Sequence, residues 1–469
     1  MRFTCKSPAK TGILIDDVRI APARRQKILQ VDVVPFTLPV LVGVDASPLL
    51  KLKIETTGTR TPISLTELHA TFQGTTDRSD LSSVQLHHST NPHDRLSANT
   101  LVASIDARAI ASEPVSVLRP NRVCQLADGT NYIWVACQLN TVANIDHRVA
   151  AACAKLKFSN GASFGFNEEV SVQRVGRALR NAGADGVHTY RIPGLATTRQ
   201  GTLIGVYDVR RRSGGDLPGD IDVGMSRSTD GGQTWKPMRI IMDMGRDPNW
   251  SYDGIGDPAI LVDRKTNTLW VAATWSHGNR SWKGSGPGLT PNQTGQLMLV
   301  RSDDDGVTWS DPINITRQIK KPEWCFILQG PGKGITMRDG TLVFPAQYQD
   351  PPQRKRLPHS TIIYSNDHGA TWMVGTGAFD DTTESQVVEI EPGVLMLNCR
   401  YNRKGVRVVM TTRDMGQTWQ KHSTSEKSLI EPGACMASLI NIARETGVDT
   451  GVDTGVDTGV DTGDWLLFS

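Results

Sequence analysis

The stretch Ser228–Trp235 reads STDGGQTW, and its pattern of a hydroxyl residue, Asp, Gly and Thr-Trp at fixed positions occurs three more times in the chain. The further copies are Ser302–Trp309 (SDDDGVTW), Ser365–Trp372 (SNDHGATW) and Thr412–Trp419 (TRDMGQTW). A constant motif at irregular intervals indicates one supersecondary unit that is used repeatedly, with insertions of different length between the copies. A repeat of this size built from strands is typical of a β-propeller.

The motif has the chemistry of a tight turn between two strands. Its Asp can accept hydrogen bonds from the amides of the same turn, and its Gly can adopt a positive φ, where a Cβ would clash. The closing Trp has enough apolar area to anchor the turn on a neighbouring sheet. The predicted capping residues are Asp230, Asp304, Asp367 and Asp414, and the predicted positive-φ residues are Gly232, Gly306, Gly369 and Gly416.

Composition favours a β protein without a polyanionic partner. The 469 residues include 44 Gly and 25 Pro, and 38% are hydrophobic, which suits a turn-rich β protein better than a helical one. The formal net charge of +3 indicates no nucleic-acid partner. The seven cysteines are odd in number and form no C-x-x-C pair, so neither a zinc site nor a disulfide framework is predicted. No run is long and apolar enough for a signal peptide or a membrane span, although a gene start misplaced downstream of a signal would look the same.

Three stretches of the chain differ in character. Residues 1–30 are predicted to be an N-terminal extension or the remnant of a preceding module, with a strand-like run at Ile13–Ile20. Residues 31–170 contain strand-like runs separated by turn clusters, which predicts a β-sandwich of the carbohydrate-binding kind. Residues 171–469 carry the turn motifs and are predicted to form the propeller.

A low-complexity loop is predicted at residues 446–463, where Val-Asp-Thr-Gly occurs four times in succession. Replication slippage that lengthened a surface loop accounts for such a repeat. A calcium-binding repeat is the alternative, but a period of four residues lacks the spacing of the oxygen ligands in known calcium loops.

An Arg-Ile-Pro-Gly phrase, Arg191–Gly194, precedes the first turn motif. A cation within an apolar strand is costly to bury unless an anion meets it, and alone it would indicate a structural ion pair. Combined with four Asp-turns over about residues 185–440, it resembles the sialidase (neuraminidase) family of retaining exo-glycosidases, of the Bacteroides-like type. This resemblance implies an all-β fold, a six-bladed propeller of which about five blades are present, preceded by the β-sandwich.

The resemblance also implies roles for residues around the first two strands of the propeller. Arg191 matches the first of three arginines that hold the substrate carboxylate, a task that suits the planar, always charged guanidinium. Asp216, in a Gly-rich loop, matches the acid/base, although Asp208, Asp220 and Asp222 are nearby competitors and a solvated loop carboxylate is the alternative for each. Arg210 matches an arginine beside the 4-position of the sugar.

Farther along the chain the resemblance implies further site residues. Asp257 matches an aspartate at the 4-position, with a turn-capping Asp before Pro as the alternative. Glu384 matches the glutamate that activates the nucleophile, and Arg400 matches the second carboxylate-binding arginine. A hairpin at Glu391–Gly393 would bring these two to the same end of neighbouring strands, while Glu389 is predicted to be a solvated strand-edge charge. Two further candidates could line an N-acyl pocket, namely Trp275, for which a core position is the alternative, and Gln329.

The chain departs from the family pattern at its end. The third arginine and the nucleophilic tyrosine have no match, and Tyr401, directly after Arg400, would point to the opposite face of its strand. Tyrosine serves as nucleophile because a neutral phenol avoids repulsion from the substrate carboxylate, which makes sialidases an exception to the two-carboxylate rule. We therefore predict that this chain, as a truncated sialidase, is impaired in turnover.

The predicted function is that of an exo-α-sialidase that removes terminal α-linked sialic acid from glycoproteins, gangliosides and oligosaccharides with retention. No cofactor, metal, nucleic acid or membrane span is expected, the chain is expected to be a monomer, and the family resemblance implies an extracellular or periplasmic location. The alternatives are a non-catalytic, lectin-like propeller that binds sialic acid, and a structural propeller that uses its Asp-turns only as fasteners. The Arg-Ile-Pro phrase and the Glu384/Arg400 pair argue against the structural alternative, because a scaffold needs neither.

Overall fold

A computed structural model describes residues 24–110, 115–167, 170–245, 253–433, 435–442 and 465–468. The run predicted at Ile13–Ile20 and the low-complexity loop predicted at 446–463 lie outside these residues. The chain divides into two compact units between Ala178 and Leu179. In the described ranges, no helix is long and apolar enough to cross a membrane, and no cluster of His, Cys, Asp and Glu is arranged to hold a metal ion.

The N-terminal unit is a β-sandwich, as predicted. One sheet has the strand order β1-β3-β8-β5-β6, and the other has the order β2-β11-β9-β4-β7 with β10 added to β9, where the strands are β1 (Lys27–Pro35), β2 (Val40–Val42), β3 (Ser47–Thr57), β4 (Leu65–Thr71), β5 (Leu81–Ser89), β6 (Leu101–Asp106), β7 (Ser116–Leu118), β8 (Gly129–Leu139), β9 (Arg148–Phe158), β10 (Ser163–Gly165) and β11 (Ser171–Arg177).

Alternation along the strands builds the core of this sandwich. In β3, Leu50, Leu52 and Ile54 are fully buried, while the residues between them are only half-buried. Because successive side chains of a strand point to opposite faces, this pattern directs one apolar row into the space between the sheets. Ile133 and Val135 of β8 belong to the same buried cluster, which contains the buried apolar residues of both sheets.

The C-terminal unit consists of successive short sheets. The strands are β12 (Thr189–Thr197), β13 (Leu203–Arg210), β14 (Ile221–Ser228), β15 (Arg239–Met242), β16 (Gly254–Val262), β17 (Leu269–Ser276), β18 (Gln296–Ser302), β19 (Ile313–Asn314), β20 (Phe326–Gln329), β21 (Gly332–Lys333), β22 (Ile335–Thr336), β23 (Leu342–Gln349), β24 (Pro358–Ser365), β25 (Met373–Val374), β26 (Thr382–Glu391), β27 (Val394–Tyr401), β28 (Val408–Thr412), β29 (Gln420–Lys421), β30 (Leu439–Ile442) and β31 (Trp465–Phe468). One short helix, α1 (Thr316–Ile319), interrupts them in the described part of the chain.

These strands form four blades and a two-stranded ribbon. Blade 1 has the order β12-β13-β14-β15, blade 2 the order β19-β18-β17-β16-β21, blade 3 the order β20-β23-β24-β25 with β22 on β23, and blade 4 the order β26-β27-β28-β29. The ribbon pairs β30 with β31. Within the described residues the C-terminal unit thus has four blades and a further two-stranded ribbon, where about five blades were predicted. The four are propeller blades because neighbouring blades share buried apolar clusters.

Apolar clusters between neighbouring blades hold the propeller together. Val206 of blade 1 packs in one cluster with Ile260 of blade 2, and Leu261 of blade 2 packs with Phe344 of blade 3. A third cluster joins blades 3 and 4. Since both faces of a blade are covered, β17 (LWVAATWS) is a nearly continuous apolar run instead of an alternating one.

The four repeated motifs join the third and fourth strands of the four blades. Asp230 accepts the amide of Thr234 at 2.9 Å, and the opening hydroxyl of Ser228 accepts the amide of Gly232 at 2.9 Å. The hydrogen bonds from Thr234 hold the pKa of Asp230 down to about 2. The predicted glycines have φ values of 92°, 82°, 91° and 77°. The predicted turn chemistry is therefore confirmed.

The residue before the motif glycine fastens one blade to the preceding one. In the second turn, Asp305 accepts hydrogen bonds from the Thr202 hydroxyl and the Arg227 guanidinium of blade 1, both at 2.5 Å. In the third turn, His368 pairs with the buried Asp263 of blade 2 at 2.7 Å. Because this motif position varies in residue type, its contacts were not predictable from the repeat.

Replacing Asp305 should destabilise the propeller more than replacing its exposed neighbour Asp303. Asp305→Asn leaves the largely buried Arg227 without its counter-ion, which should lower the free energy of unfolding by roughly 2–3 kcal/mol. Asp303→Asn, at a site that is 56% exposed, should cost less than about 1 kcal/mol. Urea unfolding of both variants measures the difference, and equal losses would contradict a fastening role.

Candidate active site

Irregular pairing of the first strand in three blades places predicted site residues at the propeller centre. The register shifts between Arg191 and Gly194 on β12, between Gly256 and Ala259 on β16, and between Thr382 and Ser385 on β26. A bulge bends its strand and re-aims the side chains beside it. Arg191, Asp257 and Glu384 therefore lie at three equivalent interruptions.

Arg191 and Arg210 converge on the carboxylate of Asp216. Arg191 Nη1 donates to Asp216 Oδ1 at 3.0 Å, and Arg210 Nη1 donates to the same oxygen at 2.7 Å. Both guanidinium groups also bond to the Gly214 carbonyl, which ties down the Gly-rich loop. The Asp216 side chain is 75% exposed, so it is held by two cations and still faces solvent.

The three competitors of Asp216 occupy different surroundings. Asp220 pairs with the exposed Arg212 at 2.9 Å. Asp222 pairs with Arg211 at 2.8 Å, and burial raises its pKa to about 6. Asp208 is only 1% exposed and lies opposite Arg191 in the β12–β13 pairing. Of the four aspartates, Asp216 alone combines exposure with a bond to Arg191.

Asp208 is a site residue that sequence reasoning did not assign. Its Oδ2 accepts Arg210 Nε at 3.1 Å and Nη2 at 2.8 Å, and its Oδ1 accepts the amide of Asp257 at 2.8 Å. Burial raises its pKa despite the neighbouring Arg210. A charged residue in the apolar run of β13 was the available signal, because such a residue needs a partner.

Asp257 adopts a left-handed conformation with φ of 57° within the β16 bulge. Its carbonyl accepts a hydrogen bond from Gln329 Nε2, and its carboxyl has no hydrogen-bond partner within the described residues. Burial raises the pKa of Asp257, and the carboxylates of Asp208 and Glu384 raise it further. Asp257 therefore favours its protonated, neutral form, which lowers the negative charge of the site.

Glu384 and Arg400 form an ion pair at the other side of the centre. Arg400 Nη1 donates to Glu384 Oε2 at 2.5 Å, and Arg400 Nε has no hydrogen-bond partner among the described residues. The β26–β27 hairpin places them at one end of the two strands, as predicted. Glu384 and Arg191 line the same cleft of about 1190 Å³.

The two residues predicted to line an N-acyl pocket, Trp275 and Gln329, differ in burial and in their contacts. Trp275 is half-buried in β17, with its ring 5.6 Å from that of His277. Gln329 is fully buried, and besides Asp257 it contacts Thr274, whose hydroxyl donates to its Oε1 at 3.0 Å. Gln329 thus supports the Asp257 bulge from below.

Tyr401 lies in the core between two blades, whereas Glu389 lines the cleft with Arg191 and Glu384. Tyr401 is buried against Phe379 in the core between blades 3 and 4, on the opposite face from Arg400, as predicted. The prediction that Glu389 is solvated was wrong, because Glu389 is buried and accepts the amides of Arg338 and Gly393 at 2.7 and 2.9 Å. No tyrosine is among the described residues that line the cleft.

Comparison with known proteins follows the same division of the chain. The family model described as BNR repeat-like domain matches residues 192–451, and that of the N-terminal domain of BNR-repeat neuraminidase matches residues 29–162. The solved structure of the Hadza microbial sialidase Hz136 is 42% identical and superposes with a TM-score of 0.77, covering 88% of this chain and 83% of that one. The chain belongs to the sialidase family.

Curated sialidases extend the comparison. A sialidase of Bacteroides fragilis (strain YCH46) is 48% identical over 331 residues, which are 69% of this chain and 60% of that protein. A sialidase of Paraclostridium sordellii is 32% identical over 266 residues, or 55% of this chain and 64% of that protein. This sialidase-family chain thus spans less than two thirds of the length of either relative.

The sialidase-family chain should lose stability through Asp257 as pH rises from the usual range of a carboxyl pKa towards the raised pKa of the folded chain. Because the folded chain binds this proton more tightly than the unfolded chain, its contribution to stability is greatest at acidic pH and falls as pH rises through the raised pKa. Asp257→Asn removes the titration, so its melting temperature should fall less than that of the wild type between mildly acidic and alkaline buffers. Asp220→Asn serves as control and should keep the wild-type slope. Parallel curves for Asp257→Asn and the wild type would contradict the prediction.

Proposed function

We propose that this chain recognises terminal α-linked sialic acid and carries the acid/base of a retaining exo-α-sialidase. The observation that carries the proposal is that Arg191 and Glu384 line one cleft, with Asp216 bonded to the first and Arg400 bonded to the second. Sialylated glycoproteins, gangliosides and oligosaccharides are the proposed substrates, met outside the cell or in a periplasm.

Arg191 and Arg400 are proposed to bind the substrate carboxylate. Arg191 is 44% exposed and meets the cleft with donors beyond the one that contacts Asp216. Arg400 is 34% exposed, and its Nη1 is bonded to Glu384, which lines the cleft. Guanidinium groups bind carboxylates through paired, charge-assisted hydrogen bonds, so two of them fix both the position and the orientation of the sugar.

Asp216 is proposed to act as the acid and then as the base. In a retaining reaction one group protonates the glycosidic oxygen as the bond to the sugar breaks, and it later takes a proton from the attacking water. Asp216 is exposed at the rim, where a leaving group would lie. A substrate carboxylate that binds Arg191 would replace the Arg191–Asp216 contact and free Asp216 to face the glycosidic oxygen.

The nucleophilic step is where we propose that this chain is impaired. Glu384 could accept a proton from a phenol, but the described lining of the cleft offers no tyrosine beside it. This observation also favours the second candidate function, a propeller that binds sialic acid without hydrolysing its linkage.

Binding is tested with a 2,3-dehydrated sialic acid analogue, which needs no turnover. Arg191→Ala and Arg400→Ala should each weaken its affinity by roughly 10–100-fold, because each removes charge-assisted hydrogen bonds to the carboxylate. Arg413→Ala is the control, since Arg413 is exposed and pairs with Glu391 at the other end of blade 4. Calorimetry measures all three, and unchanged affinity in both site variants would overturn the proposed site.

Turnover is tested with a fluorogenic sialoside. The purified chain should bind it but hydrolyse it at least about 10³-fold more slowly than a homologous sialidase, the scale of loss in an enzyme whose nucleophile is substituted. Asp216→Asn should abolish the remaining rate without unfolding the chain. Turnover comparable to that of a homologue would refute the impairment, and proton NMR would then report whether the α-anomer is released first, as retention requires.

A further inference from the structure

A buried carboxylate, Asp208, connects the groups of the proposed site without facing the cleft itself. Its side chain is 1% exposed and lies in the second strand of blade 1. Its two oxygens divide their contacts, because Oδ2 accepts both Arg210 hydrogen bonds and Oδ1 accepts the amide of Asp257 in blade 2. The Asp208 side chain thus positions the Arg210 guanidinium in blade 1 and the Asp257 bulge in blade 2.

The contact with Arg210 orients the remaining edge of that guanidinium. Arg210 is 1% exposed, and Asp208 engages its Nε and Nη2. The remaining nitrogen, Nη1, then reaches the Gly214 carbonyl at 2.8 Å and Asp216 at 2.7 Å. Since a guanidinium is planar and rigid, fixing two of its nitrogens fixes the direction of the third.

The contact with Asp257 maintains a backbone conformation that is unfavourable for a residue with a side chain. A non-glycine residue at φ of 57° costs on the order of 1 kcal/mol and persists where the surroundings hold it. Asp208 binds the amide of Asp257 and Gln329 binds its carbonyl, so the bulge is clamped from blades 1 and 3. A Cβ at Gly256 would lie 3.1 Å from Asp208 Oδ1, which explains why a glycine stands there.

We propose that Asp208 is a positioning residue that sets recognition of the 4-position of the sugar through Arg210 and Asp257. The inference rests on the proposed function, together with the roles beside the 4-hydroxyl that the sialidase resemblance implies for these two residues. In this proposal Asp208 does not contact the substrate, and it acts by orienting both Arg210 and Asp257. Gln329 has the same role for Asp257 alone.

The test compares the dehydrated sialic acid analogue with the same compound lacking its 4-hydroxyl, measured by calorimetry. The wild-type chain should prefer the hydroxylated compound by about tenfold or more, because an unmade hydrogen bond leaves buried polar groups unpaired. Asp208→Asn should reduce this preference to within about threefold, because an amide cannot accept from Arg210 with a full charge. The 4-deoxy compound should bind both proteins alike, since Arg191 and Arg400 are untouched.

Asp222→Asn is the matched control. Asp222 is also a buried aspartate of blade 1 paired with an arginine, but its partner is Arg211, and it makes no contact with Asp257. It should keep the wild-type preference. A preference in Asp208→Asn equal to that of the wild type would overturn the proposal.

Gln329→Leu keeps the proposal testable if Asp208→Asn does not fold. This variant releases the Asp257 carbonyl and leaves Arg210 in place, so it should lower the preference by a smaller factor. If Asp208→Asn does not fold and Gln329→Leu keeps the wild-type preference for the 4-hydroxylated compound, the proposal is also overturned. Failure of the wild-type chain to bind either compound would instead refute the proposed function, which separates the two results.

Discussion

The structure depends on one constraint at its β-bulges. Where a strand breaks its hydrogen bonds to the next strand to present a side chain, the freed backbone groups must find other partners. Buried amides and carbonyls without partners cost several times what a hydrogen bond contributes. At the centre of this propeller the partners are side chains of neighbouring blades. Gln329 donates to the Asp257 carbonyl, Gln386 to the Pro331 carbonyl at 2.9 Å, and Ser360 to the Thr383 carbonyl at 2.5 Å. The bulges at Asp257 and Glu384 are therefore completed by the blade beside them.

This arrangement separates the functions of the two ends of a blade. At one end, bulges and loops carry Arg191, Asp216 and Glu384, and their geometry depends on other blades. At the other end, the Asp-turns form their internal bonds within a few residues and use one variable position, such as Asp305, to contact the preceding blade. A substitution in an Asp-turn should thus change the free energy of unfolding, whereas a substitution at a bulge should change the orientation of a candidate site residue.

The charges of the site follow from the same packing. Arg191, Arg210 and Arg400 face four carboxyl groups, of which Asp257 favours the neutral form because burial and its acidic neighbours raise its pKa. Burial raises the pKa of Asp208 as well. In the proposed function an incoming carboxylate would take the place of Asp216 on Arg191, so recognition would begin as an exchange of anions on a preformed cation.

The parts of the fold that sequence reasoning predicted are those whose chemistry is local. Each Asp-turn forms hydrogen bonds between its Asp and the fourth residue after it, so the sequence motif alone is enough to predict the turn. The pairing of Glu384 with Arg400 was accessible because one hairpin joins their strands. Asp208 and Gln329 were different, since their partners belong to other blades and become neighbours only when the blades pack. Asp208 and Asp216 are the same residue type in one short segment, and what makes one a buried support and the other an exposed acid is the blade that covers the first. Residue type and spacing therefore identify the groups that the proposed function brings to a substrate, whereas the groups that position them are specified by packing between blades.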